Sequence, residues 1–293
     1  MIQFSQVQLQ ALINLVKLAG EDILEIYHHP ESTQLIAKVD SSPLTAADLA
    51  AHKRLVEGLG QILDLPILSE ESNPSDYQDR HQWQSFWLID PLDGTKEFLA
   101  RNGQFTVNVA LIHKGKSILG VVYQPVTYTC YWGLLADEDW QLDQLSPLAQ
   151  RQLKKEPPET IRCEPLTNRY HNKQPLRALV SQHHHSQKSQ EKLELIQEYW
   201  PAPLEIIPLG SSLKICAIAE GSADLYLRLG PTSEWDIAAA QAVLEAAGAH
   251  LVSLKSPHSS FTYNQRPTLL NNDFCAASHT ELVLEWLKTR KHP

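Results

Sequence analysis

From Leu176 to Leu254 the chain switches repeatedly between two kinds of pattern, and that alternation limits what it can fold into. LRALVS, LEIIPLG and ADLYLRLG are short apolar runs bounded by polar or turn residues, which predicts strands. SQEKLELIQEYW, SSLKICAIAEG and the Ala-rich run IAAAQAVLEAAG are helical in pattern, and AHLVSL follows as one more strand. Strands separated by helices stack into layers, so the expected class is a layered α/β fold. The first half adds TVNVALIHKGKSILGVVYQPV, a hairpin turning at His113-Lys114-Gly115, and TYTCYWGLL, a further β-rich segment. Val7, Leu9, Leu12, Ile13, Val16, Ile23, Leu24 and Ile26 recur at helical spacing, which predicts a helix from Phe4 to His28. His29-Pro30 stops it, because a residue before proline avoids the helical region. A second helix is expected from Thr45, with Thr45 and Asp48 as a variant capping box. The stretch from Ala136 to about Lys173 is charged, rich in Gln and Pro and weakly periodic, as in a surface excursion or a connection. With 293 residues there is length for two cores, expected at 1–155 and 156–293.

The totals exclude some functions. A formal charge of -9 argues against a general nucleic-acid binder, whose phosphate contacts need a basic surface. Cys130, Cys163, Cys216 and Cys275 form no CxxC pair, which fits reduced, buried thiols and a cytoplasmic setting. The N-terminus lacks the basic start and compact apolar core of a signal peptide, and no apolar run is long enough to span a membrane.

WLIDPLDGTKEFL, from Trp87 to Leu99, carries the chemistry. An apolar strand is expected to stop near Asp90, since Pro91 has no N–H for a sheet ladder. Pro-Leu-Asp-Gly then makes a tight turn, with Gly94 free to adopt a conformation other residues resist, and Thr95 opens a short helix. Asp90 and Asp93 beside a helix start suit a divalent cation together with a phosphate, one for the carboxylates and one for the backbone N–H groups. Taken alone, D-x-x-D-G is more often a strand cap followed by a common turn. Glu70-Glu71 stand at the end of another strand, LPIL, where an exposed acidic loop is the plain alternative. Asp236 opens the Ala-rich helix, and Ser233-x-x-Asp236 is also a capping spacing.

The stretches SPLTAAD, LSEES, DPLDGTKEF, GSSLK and GPTSEWDIAAA, in this order, resemble the inositol monophosphatase superfamily. DPLDGTKEF, with Lys-Glu-Phe after Gly-Thr, is most similar to the branch of CysQ-type 3'(2'),5'-bisphosphate nucleotidases. The resemblance covers nearly the whole chain and implies a two-domain, layered α/β/α/β sugar-phosphatase fold. It implies that Glu70, Asp90, Asp93, Asp236 and the backbone carbonyl of Leu92 hold two or three Mg²⁺ ions. Asp48 and Thr95 would be the catalytic dyad aligning the attacking water. The substrate would meet Glu70, Leu92, Asp93, Gly94, Thr95 and Asp236 at the reacting phosphate. Ser181, His184, Gly210 and Lys214 would read the nucleotide and its second phosphate.

The implied reaction removes the 3'-phosphate of adenosine 3',5'-bisphosphate, with 3'-phosphoadenylyl sulfate as a second substrate, in sulfur assimilation. Peripheral association with the inner face of a membrane is a further expectation from some relatives. The chain departs from the family's Ser-Arg-Ser-His by carrying Gln182 and His183 before His184, so His183 or His185 is an alternative contact. An inositol-1-phosphate or sugar phosphatase with the same metal core is the alternative enzyme. Lys96-Glu97 argue against it, because inositol enzymes usually read Asp-Gly-Thr-x-Asn. A non-catalytic nucleotide sensor is the alternative of another class.

Overall fold

The structure, a computed structural model, describes residues 2–29, 35–37, 43–72, 76–143, 146–182, 187–256 and 261–288. A seven-stranded sheet runs in the order Glu159–Thr160, Leu148–Leu153, Thr129–Leu134, Lys116–Gln124, Thr106–His113, Ser85–Asp93 and Ile67–Ser69. Its pairs are antiparallel except the last, where Ile67–Ser69 lies parallel to Ser85–Asp93. A five-stranded sheet follows the order Leu204–Leu209, Leu176–Ser181, Leu225–Arg228, Phe274–Ala277 and His250–Ser253.

Helices separate and cover these sheets. Gln6–His28 and Ala46–Ile62 pack on one face of the large sheet, burying Leu12, Val16, Ile23, Leu55 and Leu59 with Trp87, Val107 and Val109. Burying each such side chain stabilises the fold by about 1.5–3 kcal/mol. Leu213–Ala219 and Glu234–Ala246 fill the space between the two sheets. Gln187–Tyr199 and Thr280–Lys288 cover the far face of the small sheet around Leu193, Ile196, Val283 and Trp286. The expected α/β/α/β layering is present, with this outer helical layer as a fifth.

The central helix lies unusually close to the large sheet. A Cβ on Gly120 would stand 2.0 Å from the Ala239 carbonyl oxygen, and one on Gly133 2.5 Å from that of Ala242. Only glycines on the sheet, opposite the alanine-rich face of the helix, permit that approach.

Several expectations change. Phe4 belongs to the strand Ile2–Ser5, not to the first helix. Ser5 caps that helix in a reciprocal capping box with Gln8. Val7 does not join the buried face; it is 78% exposed. The stretch after Ala136 is partly sheet: Leu148–Leu153 extends the large sheet, and Trp140–Asp143 pairs in parallel with Ile2–Ser5. The hairpin turn is as expected, with Lys114 and Gly115 both at positive φ (48° and 78°).

Pro91 does not end its strand either, which runs on to Asp93. Asp90 pairs with Asn108 and Asp93 with Thr106, so three steps on one strand face two on the other. This bulge has a consequence. Residues three apart on a regular strand point to opposite faces; the extra residue turns Asp90 and Asp93 to the same side.

Candidate active site

Three segments deliver the carboxylates. The bulged strand supplies Asp90 and Asp93. Ile67–Ser69 places Glu70 beside them, because Ser69 pairs with Ile89 and the Glu70 N–H donates to the Ile89 carbonyl at 3.2 Å. The N-terminus of the central helix supplies Asp236, whose carboxylate accepts from the Ser233 N–H at 2.8 Å. One oxygen each from Glu70, Asp90 and Asp236 lies within 4.8 Å of the others. Leu92, between the two aspartates, donates its N–H to the Asp90 carboxylate at 3.0 Å.

The electrostatics favour a cation at this cluster. Burial pushes the Asp90 carboxyl well above the usual range, and the charges of Glu70, Asp93 and Asp236 push it further. Burial does the same to Asp236, with Asp93 and Glu70 adding to it. Asp93 is also raised by burial, but Lys214 and hydrogen bonds from Ser212 oppose the shift. Buried carboxylates so crowded are high in energy when ionised unless a cation joins them. Hard oxygen donors of this kind suit Mg²⁺. The Asn108 side-chain oxygen, buried without a hydrogen-bond partner, adds one more oxygen at the same place.

Two residues that the sequence reading missed hold Asp93. Ser212 donates to its carboxylate from the backbone N–H (2.6 Å), and the Ser212 hydroxyl lies 2.9 Å from the same oxygen and 2.6 Å from the Asp236 carbonyl. That hydroxyl has one proton, so it donates to one of them at a time. Asn108 donates to both Asp93 (3.3 Å) and the Ser212 oxygen (2.8 Å). The loop after Leu209 is thereby tied to the bulge.

At the other end of the site, Gly94 sits at φ 96° and precedes the short helix Thr95–Leu99, as expected. Asp48 is buried in the cap of its own helix, one oxygen accepting from the Thr45 N–H at 2.8 Å and from the Thr45 hydroxyl. The strand Pro43–Thr45 packs on the Thr95–Leu99 helix, so the two members of the expected dyad come from adjoining segments.

A cleft of about 620 Å³, counted to its open mouth, extends from Asp93 and Asp236 over Lys96, Ser181, Lys214 and Arg228. Ser181 is on its wall, its hydroxyl accepting from Arg228 at 2.9 Å. Arg228, at the end of the strand Leu225–Arg228, is a cleft cation the sequence reading passed over. Its only local signal is a charge closing an apolar run.

Lys214 is buried, donates to the Leu209 and Ser211 carbonyls (3.2 and 2.6 Å), and lies over the Tyr226 ring. The Gly210 N–H is taken up by the Gln104 side chain at 2.8 Å. His184 lies outside the described residues, with His183 and His185.

Comparison with known proteins places these residues in a wider group. The profile of the inositol monophosphatase family matches residues 5–291. The 3'(2'),5'-bisphosphate nucleotidase CysQ of Salmonella typhimurium is 38% identical over 267 residues, covering 91% of this chain and 98% of the relative. The protein of the same name from Haemophilus influenzae is 34% identical, covering 94% of each. Among solved structures, CysQ of Bacteroides thetaiotaomicron superimposes with a TM-score of 0.77 at 33% identity, covering 93% of this chain and 98% of that one. An inositol monophosphatase from Anabaena shares the fold at a TM-score of 0.66 and 20% identity, covering 95% and 96%.

Proposed function

Because the chain belongs to the inositol monophosphatase family, we propose that its carboxylate cluster and cleft form the site of a Mg²⁺-dependent 3'(2'),5'-bisphosphate nucleotidase. The substrate is adenosine 3',5'-bisphosphate, which loses its 3'-phosphate to give AMP and phosphate. 3'-Phosphoadenylyl sulfate is the second substrate, and both belong to sulfur assimilation. The observation that carries this reading is the juxtaposition of an anionic floor with a cationic wall. Glu70, Asp90 and Asp236 converge within 4.8 Å, while Lys214 and Arg228 line the adjoining cleft. A substrate with two phosphates is matched by a site with two places for them, whereas inositol-1-phosphate uses only one.

In this reading Glu70, Asp90, Asp93, Asp236 and the Leu92 carbonyl hold two or three Mg²⁺ ions. Bound there, Mg²⁺ supplies positive charge against the charge that develops during phosphoryl transfer. Gly94 and Thr95 offer backbone N–H groups to the scissile phosphate. Asp48 orients the Thr95 hydroxyl, which aligns the attacking water and receives its proton's hydrogen bond. Ser212 and Asn108 keep Asp93 in place. Arg228, Lys214 and Ser181 serve the nucleotide and the phosphate that does not react. The enzyme works as a cytoplasmic protein on a small molecule, and among the described residues no helix is long and apolar enough to cross a membrane. The chain divides functionally near residue 155, most of the metal site lying before it and Asp236 with the nucleotide contacts after it.

Phosphate release from a panel of adenosine 3',5'-bisphosphate, 3'-phosphoadenylyl sulfate, inositol-1-phosphate and fructose-1,6-bisphosphate, with and without Mg²⁺, tests the proposal. The expected result is Mg²⁺-dependent turnover with the adenosine bisphosphate preferred. A preference for inositol-1-phosphate, or tight nucleotide binding without turnover, overturns it.

A further inference from the structure

A second group of ligand atoms sits at the opposite end of the large sheet. His113 ends the strand Thr106–His113 and pairs with Ser85, whereas Asp90 pairs with Asn108 at the other end. Five steps of strand separate Asn108 from His113, about 17 Å at 3.3–3.4 Å per residue. This group therefore shares nothing with the carboxylates described above.

His113 is only 6% exposed. Its Nδ1 lies 2.7 Å from the Ser85 hydroxyl. Its Nε2 is buried and has no hydrogen-bond partner. That nitrogen faces Asp139, whose nearest oxygen is 3.8 Å away, too far for a hydrogen bond. Asp137 completes the group, with one ligand atom from each of the three residues within 4.8 Å of the others. Both aspartates are half-buried on the turn leading into Trp140–Asp143, where the Asp139 N–H donates to the Asp137 carboxylate at 3.1 Å.

We propose that His113, Asp137 and Asp139 bind one first-row divalent transition metal ion of the zinc class, at a site separate from the catalytic one. The donor set decides the class. An imidazole nitrogen with two carboxylates suits Zn²⁺ and its neighbours, whereas Mg²⁺ favours oxygen donors alone. Ligands about 2.0–2.1 Å from a tetrahedral centre stand roughly 3.4 Å apart. The His113–Asp139 separation is close to that, and the carboxylates close the remainder by side-chain rotation.

The Ser85 contact has the geometry of an outer-shell partner, accepting from Nδ1–H so that the Nε2 lone pair faces the metal. The competing cation is Lys114, whose ammonium pairs with Asp139. Lys114 and Asp139 are each about half exposed, and an ion pair this open to water gives way readily to a multidentate metal site. Bound metal would clip the hairpin turn to the strand that pairs with the N-terminal strand Ile2–Ser5.

The test compares wild type with an Asp137→Asn/Asp139→Asn double variant and with His113→Gln. Each protein is stripped with chelator and titrated with Zn²⁺ or Co²⁺, and bound ions per chain and thermal stability are read. The double variant should bind one ion fewer per chain, lose at least tenfold in affinity at that site and lose the associated rise in Tm. Its Mg²⁺-supported turnover should equal that of wild type, which also certifies its fold. His113→Gln should lose the same ion. Equal ion counts in wild type and the double variant overturn the proposal. So does loss of an ion together with turnover, which would assign that ion to the catalytic carboxylates.

Discussion

Replacing Gly210 by alanine should shift the loop that carries Ser212 and Lys214 relative to the metal floor. Its φ is not in the left-handed region, so the backbone accepts a side chain and only space is at issue. The new Cβ would lie 2.7 Å from the Gln104 carbonyl oxygen, 2.7 Å from Glu97 Cγ and 2.9 Å from Gln104 Cβ. Ordinary contact begins near 3.4 Å, so the two walls must part by about 0.5–0.7 Å. One of the obstructing atoms is backbone, and Glu97 is buried, so rotation of a free side chain does not resolve the clash. Overpacking of this kind costs about 1–3 kcal/mol.

The Gly210 N–H to Gln104 bond goes with it, and Ser212 and Lys214 ride on the same loop. A displacement approaching 1 Å at positioning groups costs up to about a hundredfold in rate, so kcat/KM for adenosine 3',5'-bisphosphate should fall roughly 10–100-fold. Steady-state kinetics and thermal unfolding read both effects. Gly60→Ala is the control: nothing lies within 4 Å of its Cβ, and it sits on the exposed side of a helix. It should gain up to about 1 kcal/mol of stability with unchanged kinetics. Wild-type kinetics in Gly210→Ala would refute the claim that this contact positions the cleft.

Asp90→Asn should lose more than nine-tenths of turnover while folding normally, since it removes a ligand and a repulsion together; a folded variant with near-wild-type rate contradicts the metal role. The same variant tests the crowding of charges. A carboxyl whose folded pKa is raised binds more protons folded than unfolded, so metal-free wild type loses stability as pH rises from about 4 through the folded value and no further above it. Chelator-treated Asp90→Asn should therefore be less pH-dependent, and parallel Tm profiles between pH 5 and 8 would count against the argument. Thr95→Ala should slow the chemical step with calorimetric Mg²⁺ affinity close to wild type; collapse of metal affinity would make Thr95 structural. Arg228→Ala should cost about 1.5–3 kcal/mol in kcat/KM on the adenosine bisphosphate and little on inositol-1-phosphate. Lys214→Ala should harm both substrates, because it also releases the Leu209 and Ser211 carbonyls.

What could be read from the sequence was what neighbouring residues decide among themselves. The Lys114-Gly115 turn, the Thr45 cap, the left-handed Gly94 and most of the later strands and helices follow from local pattern. Except for Val7, whose helical phase already set it opposite Leu9, Leu12 and Val16, the failures are long-range. Ile2–Ser5 is a strand because Trp140–Asp143 lies beside it, and nothing within ten residues announces that. Pro91 breaks a ladder locally, yet the strand absorbs it as a bulge because Thr106–His113 continues alongside. Ser212, Asn108 and Arg228 escaped notice for a related reason. A serine in a loop, an asparagine inside a strand and an arginine at a strand end acquire roles only when three distant segments meet. The carboxylates stood out because Asp90 and Asp93 share one short Asp-Pro-Leu-Asp-Gly stretch, a pattern legible without any distant partner.

The helix Glu234–Ala246 bears on how the molecule comes apart. It touches the large sheet through bare backbone at Gly120 and Gly133, shares a core with the small sheet, and presents Asp236 at its first turn. Neither half can peel away without stripping this helix of one of its two faces. Heat or denaturant should therefore melt the chain in a single step with no half-folded species, and the amide protons of the central strands of both sheets should share one slow exchange rate. A ligand bound at Asp236 then steadies the whole molecule at once, so occupancy of the site and survival of the fold rise and fall together.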